Sequence, residues 1–139
     1  IYVILTLYWI HTCGKGFSDL WKYALAALLV FYATSSFNPQ YFAWFTPFLA
    51  IAIAKYPELR RLHLLQILCF VFYTFYWKRP LAGWLFASVD PSFFLKLLSP
   101  AELIDFFYPS YTIISVFRTI LSGISLYMVL ILARSREGR

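Results

Sequence analysis

From Tyr111 to Ala133 the chain carries a single charged side chain, Arg118. An apolar run of that length matches a bilayer, because ~20 helical residues rising 1.5 Å each cover a hydrocarbon layer ~30 Å thick. Three further runs, 21–37, 41–56 and 62–77, sit near the lower limit of ~17 residues for a span. Residues 1–12 read as the tail end of a truncated one. The rest of the composition agrees: 62% of residues are apolar, 22% are Phe, Trp or Tyr, and only 13% are charged. A chain of 139 residues has too little interior to hide that much apolar surface from water. A soluble globular domain, a disordered chain and a disulfide-stapled module are therefore excluded. Hydrocarbon offers the backbone no hydrogen-bond partners, which favours helices, and the alternation of barrel strands is absent. The expected fold is all-α: one polytopic transmembrane helix bundle over residues 1–139, with about five spans and two short interfacial helices in an outer loop.

The connections carry the charge. Lys15, Lys22, Lys55, Arg60, Arg61, Arg134, Arg136 and Arg139 fall in alternate connections and at the end of the chain. Five alternating spans put all eight on the cytoplasmic side, as the excess of Lys and Arg in cytoplasmic loops requires. The net charge of +6 then reports topology and contact with anionic lipid, and no basic run is long enough to follow a nucleic acid. The outer face receives the turn Ser35–Gln40 and the stretch Lys78–Ser110. Within that stretch Asp90-Pro91 reads as an N-cap followed by proline at the first helical position. Ser99-Pro100-Ala101-Glu102 spells a capping box. Helices are expected over 91–98 and 100–107, lying along the interface. A sixth span over 81–98 is disfavoured, since it buries Asp90 and Lys96 at ~2.5–3.5 kcal/mol each.

The chain opens on Ile1 inside an apolar run, with no charged leader and no small-residue cleavage site. It is expected to be a piece of a longer polypeptide or a processed subunit. Cys13 and Cys69 fall in different segments, and His11 and His63 are far apart, so no metal site is expected from them.

Several polar residues stand out against this background. Tyr111, Ser115, Arg118, Ser122 and Ser125 recur at helical spacing on one face of the last span. An intramembrane arginine is a functional candidate, and its planar fork suits phosphate; the alternative is a side chain that snorkels to the headgroups or pairs with a carboxylate. Gln66, Cys69, Tyr73 and Tyr76 form a second stripe, read first as part of an aromatic belt. Lys78 and Arg79 follow on the outer side, where positive charge is disfavoured, and suit either a lipid phosphate or flank anchoring. Asp105 is the outer carboxylate without a capping role in the sequence.

The turn Asn38-Pro39-Gln40-Tyr41-Phe42-Ala43-Trp44 combines a fixed backbone, two directed amides and an aromatic platform. This string resembles the Pro-Gln-Tyr-(Phe/Leu)-x-Trp motif of GT-C superfamily membrane glycosyltransferases, notably the GPI mannosyltransferase-like enzymes and related archaeal and bacterial mannosyltransferases. In that family the motif opens a span at the outer or lumenal surface, the side on which charge counting places it here. The resemblance implies transfer of a sugar, mannose by analogy, from a polyprenyl-phosphate donor to an acceptor on that side, in the plasma membrane of a prokaryote or the endoplasmic reticulum of a eukaryote. On this reading Asn38, Gln40 and Tyr41 order the loop or contact the sugar, and the cations Arg118, Lys78 and Arg79 are the candidates to hold the phosphate, which makes all six candidate substrate-binding residues. The resemblance names no metal. Family members are larger and carry their catalytic aspartate in the first outer loop, which nothing here matches. The chain would correspond to a C-terminal part, with the base supplied by the remainder of the polypeptide.

Two other readings fit the residues. One is a non-catalytic membrane subunit packed against a partner through small residues such as Ala24, Ala27, Ala50 and Ala52. The other is a transporter whose polar stripes line a path, although Pro47 gives one kink with no mirrored second half.

Overall fold

The computed structural model describes residues 20–36, 38–77, 88–94, 96 and 98–134, together with Ile4, Leu7 and His11. Every regular element among them is helical, so the chain is all-α. The helices are α1 (Leu20–Thr34), α2 (Thr46–Lys55), α3 (Leu59–Thr74), α4 (Pro91–Phe94), α5 (Pro100–Asp105) and α6 (Ser110–Arg134), with 3₁₀ turns at Pro39–Ala43 and Phe75–Trp77. The sequence-derived span over 1–12 and the cations Lys78 and Arg79 lie outside the described residues, apart from helical Ile4, Leu7 and His11.

Among the described residues one helix, α6, is long and apolar enough to cross a membrane. Its 25 residues extend ~37 Å at 1.5 Å per residue. The 15 residues of α1 reach ~22 Å and the 10 of α2 only ~15 Å, short of a ~30 Å hydrocarbon layer. The run expected as one span over 41–56 is broken in two. Pro39 starts a 3₁₀ turn, and Pro47 sits in the first turn of α2, where its missing N–H costs no intrahelical bond. Helices α4 and α5 are also shorter than the expected 91–98 and 100–107.

The chain divides into two compact units, one formed by Ile1–Leu64 with Ser122–Arg139 and the other by Leu65–Leu121. In the first, α1 packs against α2. Leu25, Ala26, Leu29, Val30 and Tyr32 of α1 are buried, as are Phe45 and, on α2, Leu49 and Ala52. Of the alanines expected at close contacts, Ala52 is fully buried, Ala24 and Ala27 are half-buried and Ala50 is exposed. In the second unit, Gln66, Cys69 and Tyr73 of α3 are buried, and Phe72 stacks on Phe117 of α6 with centroids 4.0 Å apart.

Along α6, Ile114, Leu121, Ser125, Met128 and Leu132 form the buried stripe at alternating spacings of seven, four, three and four. The polar stripe read from the sequence meets it at Ser125. Ser125 is fully buried, Arg118 and Ser122 are half-buried, and Tyr111 and Ser115 are exposed.

Candidate functional site

The motif turn is built on an aromatic pedestal. Asn38 is extended (φ −71°, ψ 146°), and Pro39 fixes the first turn of the 3₁₀ segment. The Tyr41 N–H donates to the Asn38 carbonyl (3.0 Å) and the Trp44 N–H to the Tyr41 carbonyl (3.0 Å). The Tyr32 hydroxyl, from α1, donates to the same Tyr41 carbonyl. Tyr32 lies with its ring 4.9 Å from Phe45 and 6.1 Å from Phe42. Phe42 in turn stacks nearly parallel on His63 of α3 at 6.5 Å, and Phe45 meets His63 edge-on at 6.3 Å. Tyr41 pairs with Trp44 at 4.5 Å.

Buried rings thus hold the turn from below, while Asn38, Gln40 and Trp44 face outward. The Asn38 side chain makes no capping bond. Two exposed amides beside an aromatic surface form a surface suited to hydroxyl-rich ligands, with directed hydrogen bonds and apolar stacking together.

Arg118 belongs to the second unit. Its guanidinium carbon lies 5.5 Å from the centroid of the Tyr73 ring, a cation–π contact between α6 and α3. Tyr73 is itself parallel to Tyr76 at 6.4 Å. Of the second stripe, Gln66, Cys69 and Tyr73 point inward, whereas Tyr76 is exposed and fits the belt reading. Beside Tyr76 the Trp77 indole nitrogen is buried without a hydrogen-bond partner.

Asp90, Glu102 and Asp105 all serve helix starts. Asp90 Oδ1 accepts from the Ser92 hydroxyl (2.6 Å) and the Phe93 N–H (3.2 Å). These two bonds, the hydroxyl first, hold the Asp90 carboxyl below its ordinary range. The capping box at Ser99 is complete: Glu102 Oε2 accepts from the Ser99 N–H (2.8 Å), and Ser99 Oγ accepts from the Glu102 N–H (3.2 Å). Asp105, without a role in the sequence reading, accepts from the Ser110 N–H at 2.7 Å and caps the start of α6. The sequence reading missed this bond because its donor lies five residues on, beyond the usual capping distance. It also missed Tyr32 and His63, whose only signal was aromatic density near the motif.

Among the described residues no group of three or more His, Cys, Asp or Glu stands together to hold a metal ion. No family model, curated protein or solved structure matches this chain.

Proposed function

We propose that this chain is the C-terminal, substrate-binding part of a polytopic GT-C membrane glycosyltransferase, acting on a polyprenyl-phosphate sugar at the outer or lumenal face. The observation that carries the reading is the Asn38–Trp44 turn, held by Tyr32 and presenting Asn38 and Gln40 outward. In this reading the apolar runs cross a bilayer as about five spans, the outer helices α4 and α5 lie on its surface, and the basic connections face the cytoplasm.

The chemistry is an inverting substitution. The acceptor hydroxyl oxygen attacks the anomeric carbon, the bond to the lipid phosphate breaks, and a carboxylate supplied from outside this chain takes the proton. Asn38, Gln40 and Tyr41 order or contact the sugar. Arg118, with Lys78 and Arg79, stabilises the negative charge that develops on the leaving phosphate. The test is transfer from a polyprenyl-phosphate mannose by the full enzyme in membranes, comparing the native protein with an Asn38→Ala/Gln40→Ala variant. A loss of transfer at unchanged abundance supports the reading; unchanged transfer removes the motif from the site.

A second reading, a non-catalytic subunit seated against a larger membrane partner, draws on the helix lengths. Helices α1 and α2 are too short to cover a hydrocarbon layer alone, and Leu64, Leu68 and Val71 are exposed on one side of α3. The length of the native product separates the two: one barely longer than this chain favours the subunit, and one several times longer favours the enzyme.

A further inference from the structure

The α1–α2 hairpin has a second end, away from the motif turn, and it is basic. Lys55 Nζ lies 5.1 Å over the Trp21 ring, closing the last turn of α2 onto the first turn of α1. Lys22 follows Trp21 directly. The chain leaves α2 through Tyr56, Pro57 and Glu58, with the Leu59 N–H bonded to the Tyr56 carbonyl (3.0 Å) and the Arg60 N–H to the Pro57 carbonyl (3.1 Å). This tight corner puts Arg60 and Arg61, both exposed, into the first turn of α3 a few residues from Lys55. Lys22, next to Trp21, and Lys55, Arg60 and Arg61, close together in the chain, thus stand at this end of the hairpin, with Glu58 the carboxylate there among the described residues.

The placement runs against helix electrostatics. The N-terminal end of a helix carries positive partial charge and favours acidic residues; Glu58 directly precedes α3, yet its first turn holds two arginines and no acid. Helix formation gains nothing from them at that point. An anion bound at the corner makes them favourable, and also draws on the helix end.

We propose that this corner, Lys22, Lys55, Arg60 and Arg61 around Trp21, binds the phosphate of an anionic phospholipid headgroup. The inference rests on the membrane placement given above and not on glycosyl transfer. Lipid is the occupant because Trp21 is amphipathic and suited to headgroup depth, and Lys55 lies against its face at that same depth. Arg60 and Arg61 supply planar forks that match phosphate oxygens. A net-negative headgroup is selected over phosphatidylcholine, whose choline cation would meet four like charges.

The experiment uses the chain in phosphatidylcholine nanodiscs with phosphatidylglycerol as a minority component. Spin-labelled forms of each lipid report the fraction immobilised on the protein. The expected result is a preference for phosphatidylglycerol that falls about fivefold for each arginine lost in Arg60→Gln/Arg61→Gln. Lys55→Gln, which leaves the first turn of α3 intact, lowers it as well, while Lys96→Gln, which removes the same charge from the other unit, leaves it unchanged. Equal immobilisation of the two lipids, or an equal loss with Lys96→Gln, overturns the proposal. Displacement of the lipid by excess inorganic phosphate shows a site for a soluble anion and also overturns it. Failure of the chain to enter phosphatidylcholine nanodiscs overturns the membrane placement and this inference together.

Discussion

The hydroxyl of Tyr32, deep in α1, donates its hydrogen bond to the backbone carbonyl of Tyr41 in the middle of the Asn38–Trp44 turn. Nine residues separate the two. The bond ties an exposed, ligand-like surface to the core of the first unit, because Tyr32 is only 1% exposed and packs on Phe42 and Phe45. At the other end of the same hairpin Lys55 closes on Trp21. The α1–α2 pair is therefore pinned at both ends by side chains rather than by helix length.

Tyr32→Phe keeps the ring and removes the donor. The Tyr41 carbonyl still accepts from the Trp44 N–H, so it is not left bare, and the expected loss of stability is ~1 kcal/mol. Tyr32→Ala also opens a cavity and should cost ~3–5 kcal/mol. Unfolding in detergent gives the magnitudes. Amide exchange at Tyr41 and Trp44 should quicken in Tyr32→Phe; unaltered exchange would mean that the hydroxyl does not hold the turn.

If the proposed function holds, Arg118→Ala in the longer enzyme should lower sugar transfer roughly a hundredfold, the scale of losing one preorganised donor to a developing oxyanion. Abundance and insertion should stay at native levels, since the guanidinium rests on the Tyr73 ring and its removal leaves α6 more apolar. Arg118→Lys keeps the charge without the fork and should fall between the two. Transfer assays on membranes normalised to protein content decide it, and native rates in Arg118→Ala would take this residue out of the mechanism.

The start of α6 depends on Asp105. Its carboxylate satisfies the Ser110 N–H, and Asp105→Ala should cost ~1 kcal/mol, as loss of a helix cap generally does. Ser99→Ala removes the Oγ that accepts from the Glu102 N–H, leaves the backbone N–H at 99 bonded to Glu102 Oε2, and should cost a similar ~1 kcal/mol at α5. Hydrogen exchange localises each effect, with Ser110 exposed in the first variant and Glu102 in the second. Exchange that rises at neither amide contradicts the capping roles.

Asp90 makes the start of α4 sensitive to acid. Bonds from the Ser92 hydroxyl and the Phe93 N–H hold its folded-state carboxyl below the ordinary value of 3.8. The stabilisation is therefore fully present above that value and disappears as pH falls through the lowered folded-state value. Titration of the Phe93 amide signal by NMR should show one acid transition below the ordinary aspartate range, absent in Asp90→Asn. A midpoint at or above 3.8 would contradict the lowered carboxyl.

Local rules carried far in this chain. Asp90-Pro91 and Ser99-Pro100-Ala101-Glu102 announce helix starts because the residues that make a cap lie within three positions of the N–H they satisfy. The long α6 was legible because its mostly apolar run carries one charge, Arg118, between Tyr111 and Ala133. Helix lengths elsewhere were less legible. A hydropathy run does not show where helices begin inside it, and Pro39 and Pro47 start a 3₁₀ turn and a ten-residue helix just before and within the 41–56 run.

The sequence by itself determined the helical class, the membrane-length apolar run, the helix starts and the motif at Asn38–Trp44, because each depends on neighbours along the chain. Only the tertiary structure decided that Tyr32 and His63 support that motif, that Asp105 caps α6, that Lys55 meets Trp21, and that Arg118 rests on Tyr73. Most of these contacts join different helices, and Asp105 reaches across a loop. Helical periodicity specifies which residues share a face, but which face meets which is set by how side chains of particular shape fill the space between helices.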